Sequence, residues 1–397
     1  MGKLEKRQHK YSFAEVVAYI VFALSVVATF AVSWRLFYLQ YSQSGGGQFS
    51  SDLGSHVTSA LNGTGYSLMA TIFRVFYKIS PTGLSLTFSM ALITALTALA
   101  ALWCMQVVLR QMGVKKYGVL YIFAGVSALF MSSIYVPQYY PWYYDNSFGT
   151  QPWHNSTFLL MRLVGTLAVA LYLKMEKTYL KKIEWKDAIA FIILLTLVNY
   201  AKPNFIIAFA PMMLIYLIAD FIKGRGKGTV QMIKFGMCVI ASLWVLLIQQ
   251  KMLYPGDDDS GIGFTLDYIK EFFSHKLTLV CLVCGLAFPL FVSLLVLIKK
   301  IRFGALGKMW IMFAVSMAQR LFVIETGPRR EHGNFCWGSR VCAYYLFIVS
   351  FATLVGMYKN KKIGKLTFAL GIAIFLLHIA SGLFYLKRLL DGDFYMI

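Results

Sequence analysis

Charge is scarce in this chain. Asp, Glu, Lys and Arg make up 14% of its 397 residues against 58% hydrophobic ones, and a mean hydropathy of +0.64 excludes an ordinary soluble domain. Acid is scarcer than base, with 17 Asp and Glu facing 38 Lys and Arg for a net charge of +21. Cysteine is sparse too. Cys104, Cys238, Cys281, Cys284, Cys336 and Cys342 fall mostly in apolar runs, and Cys281-x-x-Cys284 is expected mid-helix without partner histidines, so neither a disulfide framework nor a zinc site is expected. No soluble-type repeat interrupts the apolar pattern, and the excess of base comes without any aromatic-basic module that would mark nucleic-acid binding. What remains is a polytopic membrane protein.

Apolar runs of roughly 18 residues or more, the length a helix needs to cross the hydrocarbon layer, recur along the whole sequence. The expected spans are 11–39, 84–109, 117–135, 158–173, 188–200, 205–222, 235–253, 277–298, 309–324, 341–358 and 366–385, an all-α bundle of about eleven crossings forming one integral membrane domain over 1–397. The first run is too long for a cleaved signal peptide and lacks a clear small-residue cleavage site, so it reads as a retained signal anchor. The span 188–200 is short and stops at Ala201-Lys202-Pro203-Asn204, where proline disfavours helix at the residue before it. That turn is expected to dip into the membrane region.

Basic residues in short loops stay cytoplasmic. Taking alternate loops from the N-terminus, well over half of the 38 lysines and arginines fall on one side, as in Lys174, Lys177, Lys181, Lys182 and Lys186 or Lys359, Lys361, Lys362 and Lys365. The N-terminus is therefore expected inside and the C-terminus outside. The net charge follows from this topology and from attraction to anionic headgroups.

The chemically varied loops all fall on the outer side. In the longest, 40–83, two apolar stretches too short to span are expected to lie in the interface as helices. Asp52 and His56 stand four apart there, on one face of any helix they occupy. Asp52 is then either an N-cap or a general base with an imidazole beside it. The next outer loop, 136–155, is dense in tyrosine and tryptophan. Such a loop forms an interfacial aromatic belt or a sugar-binding platform, in which Tyr143 and Trp153 stack on pyranose faces while Asp145, His154 and Asn155 supply hydrogen bonds. Pro255-Gly256-Asp257-Asp258-Asp259-Ser260 opens a further outer loop, either a solvated turn or, as the lesser alternative, a divalent-cation site.

The densest polar stretch is ETGPRREHGNFCWGSR, from Glu325 to Arg340, between two very apolar segments. Charge so placed is costly unless it meets charge. Arg162, a turn or two inside its span, Lys202 in the broken turn, and Arg320, Arg329, Arg330 and Arg340 together have the means to hold a lipid phosphate or pyrophosphate. Individually each suits an internal ion pair, for example with Glu325 or Glu331; as a cluster they suit an anion.

A first outer loop with an acidic residue between two interfacial helices, a multi-span bundle, and basic residues at outer helix ends resemble the GT-C class of integral membrane glycosyltransferases. Pro152-Trp153-His154-Asn155 before a span, and His332-Gly333-Asn334-Phe335 followed by Trp337-Gly338, are similar to motifs of uncharacterised bacterial branches of that class. The architectural likeness covers most of the chain; the specific motifs cover little of it. The resemblance implies transfer of a sugar from a polyprenyl-phosphate carrier to a glycan or lipid acceptor at the outer face of the cell membrane, with no required cofactor. Asp52 matches the first-loop acid and would act as base with His56 beside it. Lys202, Arg320 and Arg340 would neutralise the leaving phosphate, with Arg162 and Arg329 as further cations. Glu325, His332, Asn334 and Trp337 would join Tyr143, Asp145, Trp153, His154 and Asn155 around the sugar or acceptor. Two departures stand out: the usual acid often has a second beside it, where this chain has His56, and no large outer C-terminal domain is present. The alternatives are a polymerase or ligase of a diphosphate-linked glycan, in which the arginines and His332 matter more than Asp52, and a non-enzymatic transporter. A transporter should carry charge through both leaflets, whereas here charge gathers at one edge.

Overall fold

The computed structural model describes residues 12–43, 48–49, 51–114, 120–138, 153–253, 261–267, 269–270, 278–327, 330 and 333–393. Eight helices among the described residues are long and apolar enough to cross a membrane, so the chain is a membrane-embedded helical bundle.

The order is α1 (Phe13–Ser42), α2 (Leu53–Leu61), α3 (Leu68–Ile79), α4 (Gly83–Gln111), α5 (Leu120–Ser127), α6 (Ser156–Met175), α7 (Trp185–Ala201), α8 (Asn204–Gly224), α9 (Thr229–Ile240) and α10 (Trp244–Leu253). Strand β1 (Ile262–Phe264) precedes α11 (Thr278–Ile298) and α12 (Gly304–Phe322), then come β2 (Val323–Glu325), α13 (Cys336–Lys359) and α14 (Lys365–Leu390). The most apolar window of α13 is 94% buried and that of α6 89%, against 22% for α1 and 28% for α14. The centre is therefore α6 and α13, and α1 and α14 present apolar side chains outward, as helices do when the surrounding medium is lipid. Small residues allow this close approach: a Cβ on Gly165 of α6 would stand 1.9 Å from the Tyr345 hydroxyl of α13.

Local signals set the helix starts. Ser12 and Glu15 form a capping box on α1, Ser67 caps α3, Thr82 caps α4 and Asn155 caps α6 through side-chain oxygens that accept backbone N–H groups. The two short helices expected in the first long loop are α2 and α3. The turn at Lys202-Pro203 between α7 and α8 also falls where expected.

One expected span is broken, and another, 235–253, falls in a candidate crossing, Thr229–Met252, that is interrupted part-way. The segment 235–253 lies in α9 and α10 with turn residues 241–243 between them, where Asn199 of α7 donates its Nδ2 to the Ser242 carbonyl and hydroxyl, both at 3.2 Å. A side chain inserted into the helical ladder is a usual cause of such a break. The segment 117–135 is not one helix: α5 ends at Ser127, one 3₁₀ turn follows over Ala128–Phe130, and the backbone then runs extended. Its groups are satisfied by α11 and α14 instead of by itself. Ser132 N donates to the His378 carbonyl (3.2 Å), Ile134 N to the Cys284 carbonyl (3.1 Å) and Tyr135 N to Ser381 Oγ (3.1 Å). Four residues beyond Cys284 in α11, Phe288 N donates to His378 Nε2 at 3.4 Å, just before Pro289 within the same helix. His378 Nδ1 then carries the proton and donates to the Ser132 carbonyl at 2.6 Å. Non-helical backbone deep in a bundle is tolerated when protein supplies its hydrogen bonds.

This seam leaves no room at Gly382, where a Cβ would lie 1.5 Å from the Phe130 carbonyl oxygen. Gly382→Ala is expected to lower the unfolding temperature in detergent, with an overpacking cost of about 1–3 kcal/mol. Gly364→Ala, at the N-cap of α14 with nothing within 4 Å of the added Cβ, should lower it far less, by no more than the loss of a favoured cap residue. Equal melting of the two variants would contradict the packing described.

Candidate functional site

At one end of the bundle a cavity of about 1260 Å³ opens among α2, α3, the start of α6, the α7–α8 turn, α10, the β1–β2 pair and the start of α13. The β pair is antiparallel, with Ile262 opposite Glu325 and Phe264 opposite Val323, and it ties the segment after α10 to the end of α12. The lining includes Asp52, His56, His154, Asn155, Ser156, Thr157, Lys202, Arg320, Glu325, Asn334, Trp337 and Arg340. Residues far apart in sequence thus meet in one place, and most of the candidate site residues are among them.

Asp52 occupies the N-cap position of α2, but its side chain makes no cap hydrogen bond. The neighbouring Ser51 Oγ accepts from Leu53 N instead (3.1 Å). The capping role is therefore overturned, and the four-residue spacing acts as the helix geometry dictates: Asp52 Oδ2 lies 3.7 Å from His56 Nε2. Asp52 Oδ1 is buried without a hydrogen-bond partner among the described residues. On the other side of the ring, His56 Nδ1 is 2.9 Å from Ser156 Oγ. Burial, and secondarily the Lys202 charge, push the His56 pKa below its ordinary value against the pull of Asp52, so the ring is neutral at pH 7. With the ring proton on Nε2, facing the acceptor-only carboxylate, Ser156 donates to Nδ1. His154 is pushed down to about 4, chiefly by burial, with Asp52 opposing and Arg340, His56 and Lys202 assisting.

The cations gather on Trp337. Lys202 Nζ lies 4.9 Å from the centre of that ring and the Arg340 guanidinium carbon 5.6 Å from it. Lys202 also donates to Thr157 Oγ1 at 3.2 Å, and Arg320 Nη1 approaches Ser339 Oγ at 3.5 Å. Helices α6, α8 and α13 all begin at the cavity, so their positive dipole ends face it. Glu325 accepts from Asn334 Nδ2 at 2.5 Å, and the Asn334 carbonyl accepts from Asn204 Nδ2 at 2.8 Å, fastening the lead-in of α13 to α8.

The chain matches no protein-family model and no curated protein sequence. Function must be read from the site itself.

Two expected site residues lie elsewhere. Arg162 does not line the cavity: it is fully buried in α6 with its guanidinium 5.2 Å from the Tyr344 ring centre. At the seventh position of the helix it sits about 9 Å below the helix start, too deep to reach the mouth. Trp153 is no platform either, because it is 1% exposed and packs beside Phe37 and Phe130 at 6.3 and 6.0 Å. Asn155 lines the cavity, but its side-chain oxygen is taken by Phe158 N and Thr157 Oγ1, both at 2.9 Å. Tyr143, Asp145, Arg329 and His332 lie outside the described residues, as do Asp257, Asp258 and Asp259. Arg330 pairs at the surface with Asp267 (3.8 Å).

Sequence reading missed Ser156, Thr157 and Gln249. The first two follow directly on Asn155, whose capping of α6 is the signal in the sequence that places them at a helix start. Gln249 donates to the Tyr200 carbonyl at 3.0 Å from mid α10, where nothing in an apolar run announces it.

Proposed function

We infer that this cavity transfers a sugar from a polyprenyl-phosphate carrier to a glycan or lipid acceptor. The carrying observation is one carboxylate with a neutral imidazole behind it, sharing a cavity with Lys202, Arg320, Arg340 and three helix N-termini. A single inverting displacement needs those two halves: a base on the attacking hydroxyl and positive charge where the phosphate leaves. Asp52 would take the acceptor proton. The acceptor oxygen would then attack the anomeric carbon opposite the carrier as the C–O bond to phosphate breaks, and the released phosphate would collect its charge against Lys202, Arg340 and Arg320. His56, with Nε2 3.7 Å from Asp52 Oδ2, would stand beside the carboxylate through both steps.

The lysine-rich turns after α6, α8, α11 and α13 lie at the opposite helix ends from the cavity. Under the preference of such turns for the cytoplasm, the cavity faces outside, the N-terminus inside, and the membrane is the cell membrane with about eleven crossings, one of them the half-helical 117–135 segment. The cavity volume also favours a second reading. At about 1260 Å³ it exceeds the usual range of a small-ligand pocket, and a diphosphate-linked oligosaccharide would use the extra room.

The test is label transfer in proteoliposomes from a panel of polyprenyl-monophosphate sugars and polyprenyl-diphosphate oligosaccharides. Transfer from a monophosphate donor with inversion at the anomeric carbon is the expected result. Transfer from diphosphate donors alone selects the second reading, and none from either class overturns both.

A further inference from the structure

We propose that Asn155-Ser156-Thr157, the start of α6, is a template that sets the spacing between the base and the leaving-group cation. Three consecutive residues reach both halves of the site. Asn155 fixes the helix start by accepting from Phe158 N and from the Thr157 hydroxyl. Ser156, 1% exposed, holds the His56 ring at Nδ1, and the far side of that ring stands 3.7 Å from the Asp52 carboxylate. Thr157 accepts from Lys202 Nζ. Adjacent residues on one rigid helix turn therefore anchor groups belonging to α2 and to the α7–α8 turn, elements that otherwise approach from different parts of the chain. Sites built on the ends of regular elements hold geometry better than sites on loops. Ser156 and Thr157 are positioning residues: neither is asked to touch the reacting atoms, and each acts through a neighbour.

The direction of the Ser156 hydrogen bond matters. In the proposed arrangement its hydroxyl donates to Nδ1, which favours the neutral ring and holds the proton on Nε2, facing Asp52. Without it, Nδ1 is open to a proton, and a charged imidazole beside Asp52 makes a poorer base of that carboxylate. The titratable neighbours of the ring are Asp52 on its own helix, Lys202 on the α7–α8 turn and His154 on the lead-in to α6.

The role of Thr157 rests on the lipid-phosphate reading above; the role of Ser156 does not. The experiment separates them. Wild type, Ser156→Ala, Ser156→Thr and Thr157→Val are reconstituted with ¹⁵N-histidine. The His56 signals, assigned with His56→Gln, are followed with pH, and farnesyl phosphate binding is measured by calorimetry. Ser156→Ala is expected to mix the His56 tautomers and raise its pKa toward the ordinary value, with Ser156→Thr restoring both. Thr157→Val should leave the His56 spectrum alone and weaken farnesyl phosphate about fivefold, the loss of one hydrogen bond. An unchanged His56 spectrum in Ser156→Ala overturns the template, as does equal disturbance of both readouts by both variants. Failure of the wild type to bind farnesyl phosphate counts against the lipid-phosphate reading, and the Ser156 arm is then decided by the spectra alone.

Discussion

Asp52→Asn is expected to reduce label transfer at least a hundredfold, the usual lower bound for removing a general base, with the protein folded and inserted as before. The substitution is nearly isosteric, and three features of the site keep it from being a mere structural lesion. Asp52 does not cap α2, so no helix end is undone. The amide keeps the size and shape of the carboxylate that stands 3.7 Å from His56 Nε2. Lys202 and Arg340 rest on the Trp337 ring, which the substitution leaves in place, so the phosphate half of the site keeps its cations. What is removed is the capacity to take a proton, together with the negative charge that raises the His56 and His154 pKa values. Initial transfer rates, read beside an unfolding curve and farnesyl phosphate affinity, separate these effects. A variant that keeps a third of the wild-type rate would show that the acceptor loses its proton elsewhere. The same variant with normal folding but lost phosphate affinity would place Asp52 in donor binding.

How far this site was legible in the sequence follows from what periodicity can encode. Asp52 and His56 were legible because a four-residue spacing in a short amphipathic helix fixes a shared face. Lys202 was legible because proline marks its turn. The buried helices carried no such signal. A helix apolar on all sides has no preferred face, so the azimuth of Arg162 in α6 and of Arg340 in α13 cannot be read from pattern. One proved to lie under Tyr344 and the other in the cavity. The broken crossing after α5 was hidden for a related reason. Its residues are as apolar as a helix, and the partners that let it run extended, His378 and Cys284, lie over a hundred residues away in sequence. Composition told that the segment is buried, and only tertiary hydrogen bonding told its conformation.

Trp337 was expected to face a sugar, and its surroundings point to a different task with a measurable consequence. Lys202 and Arg340 both lie within cation–π reach of its ring, and His154 and Phe158 pack at 6.0 and 5.8 Å. Each such contact is worth roughly 0.5–2 kcal/mol in a partly desolvated site, so the ring gathers two cations that would otherwise repel. Trp337→Ala is expected to weaken farnesyl phosphate and lower transfer by about ten- to a hundredfold, while Trp337→Phe, which keeps a π face, retains most of both. The choice of a sugar-free ligand is what gives the comparison its force. If the indole stacked on the sugar, farnesyl phosphate would bind both variants as it binds the wild type, and the defect in transfer would change with the sugar supplied. If the indole organises the cations, the defect appears with farnesyl phosphate alone and is the same for every sugar, because the interaction that is lost belongs to the phosphate.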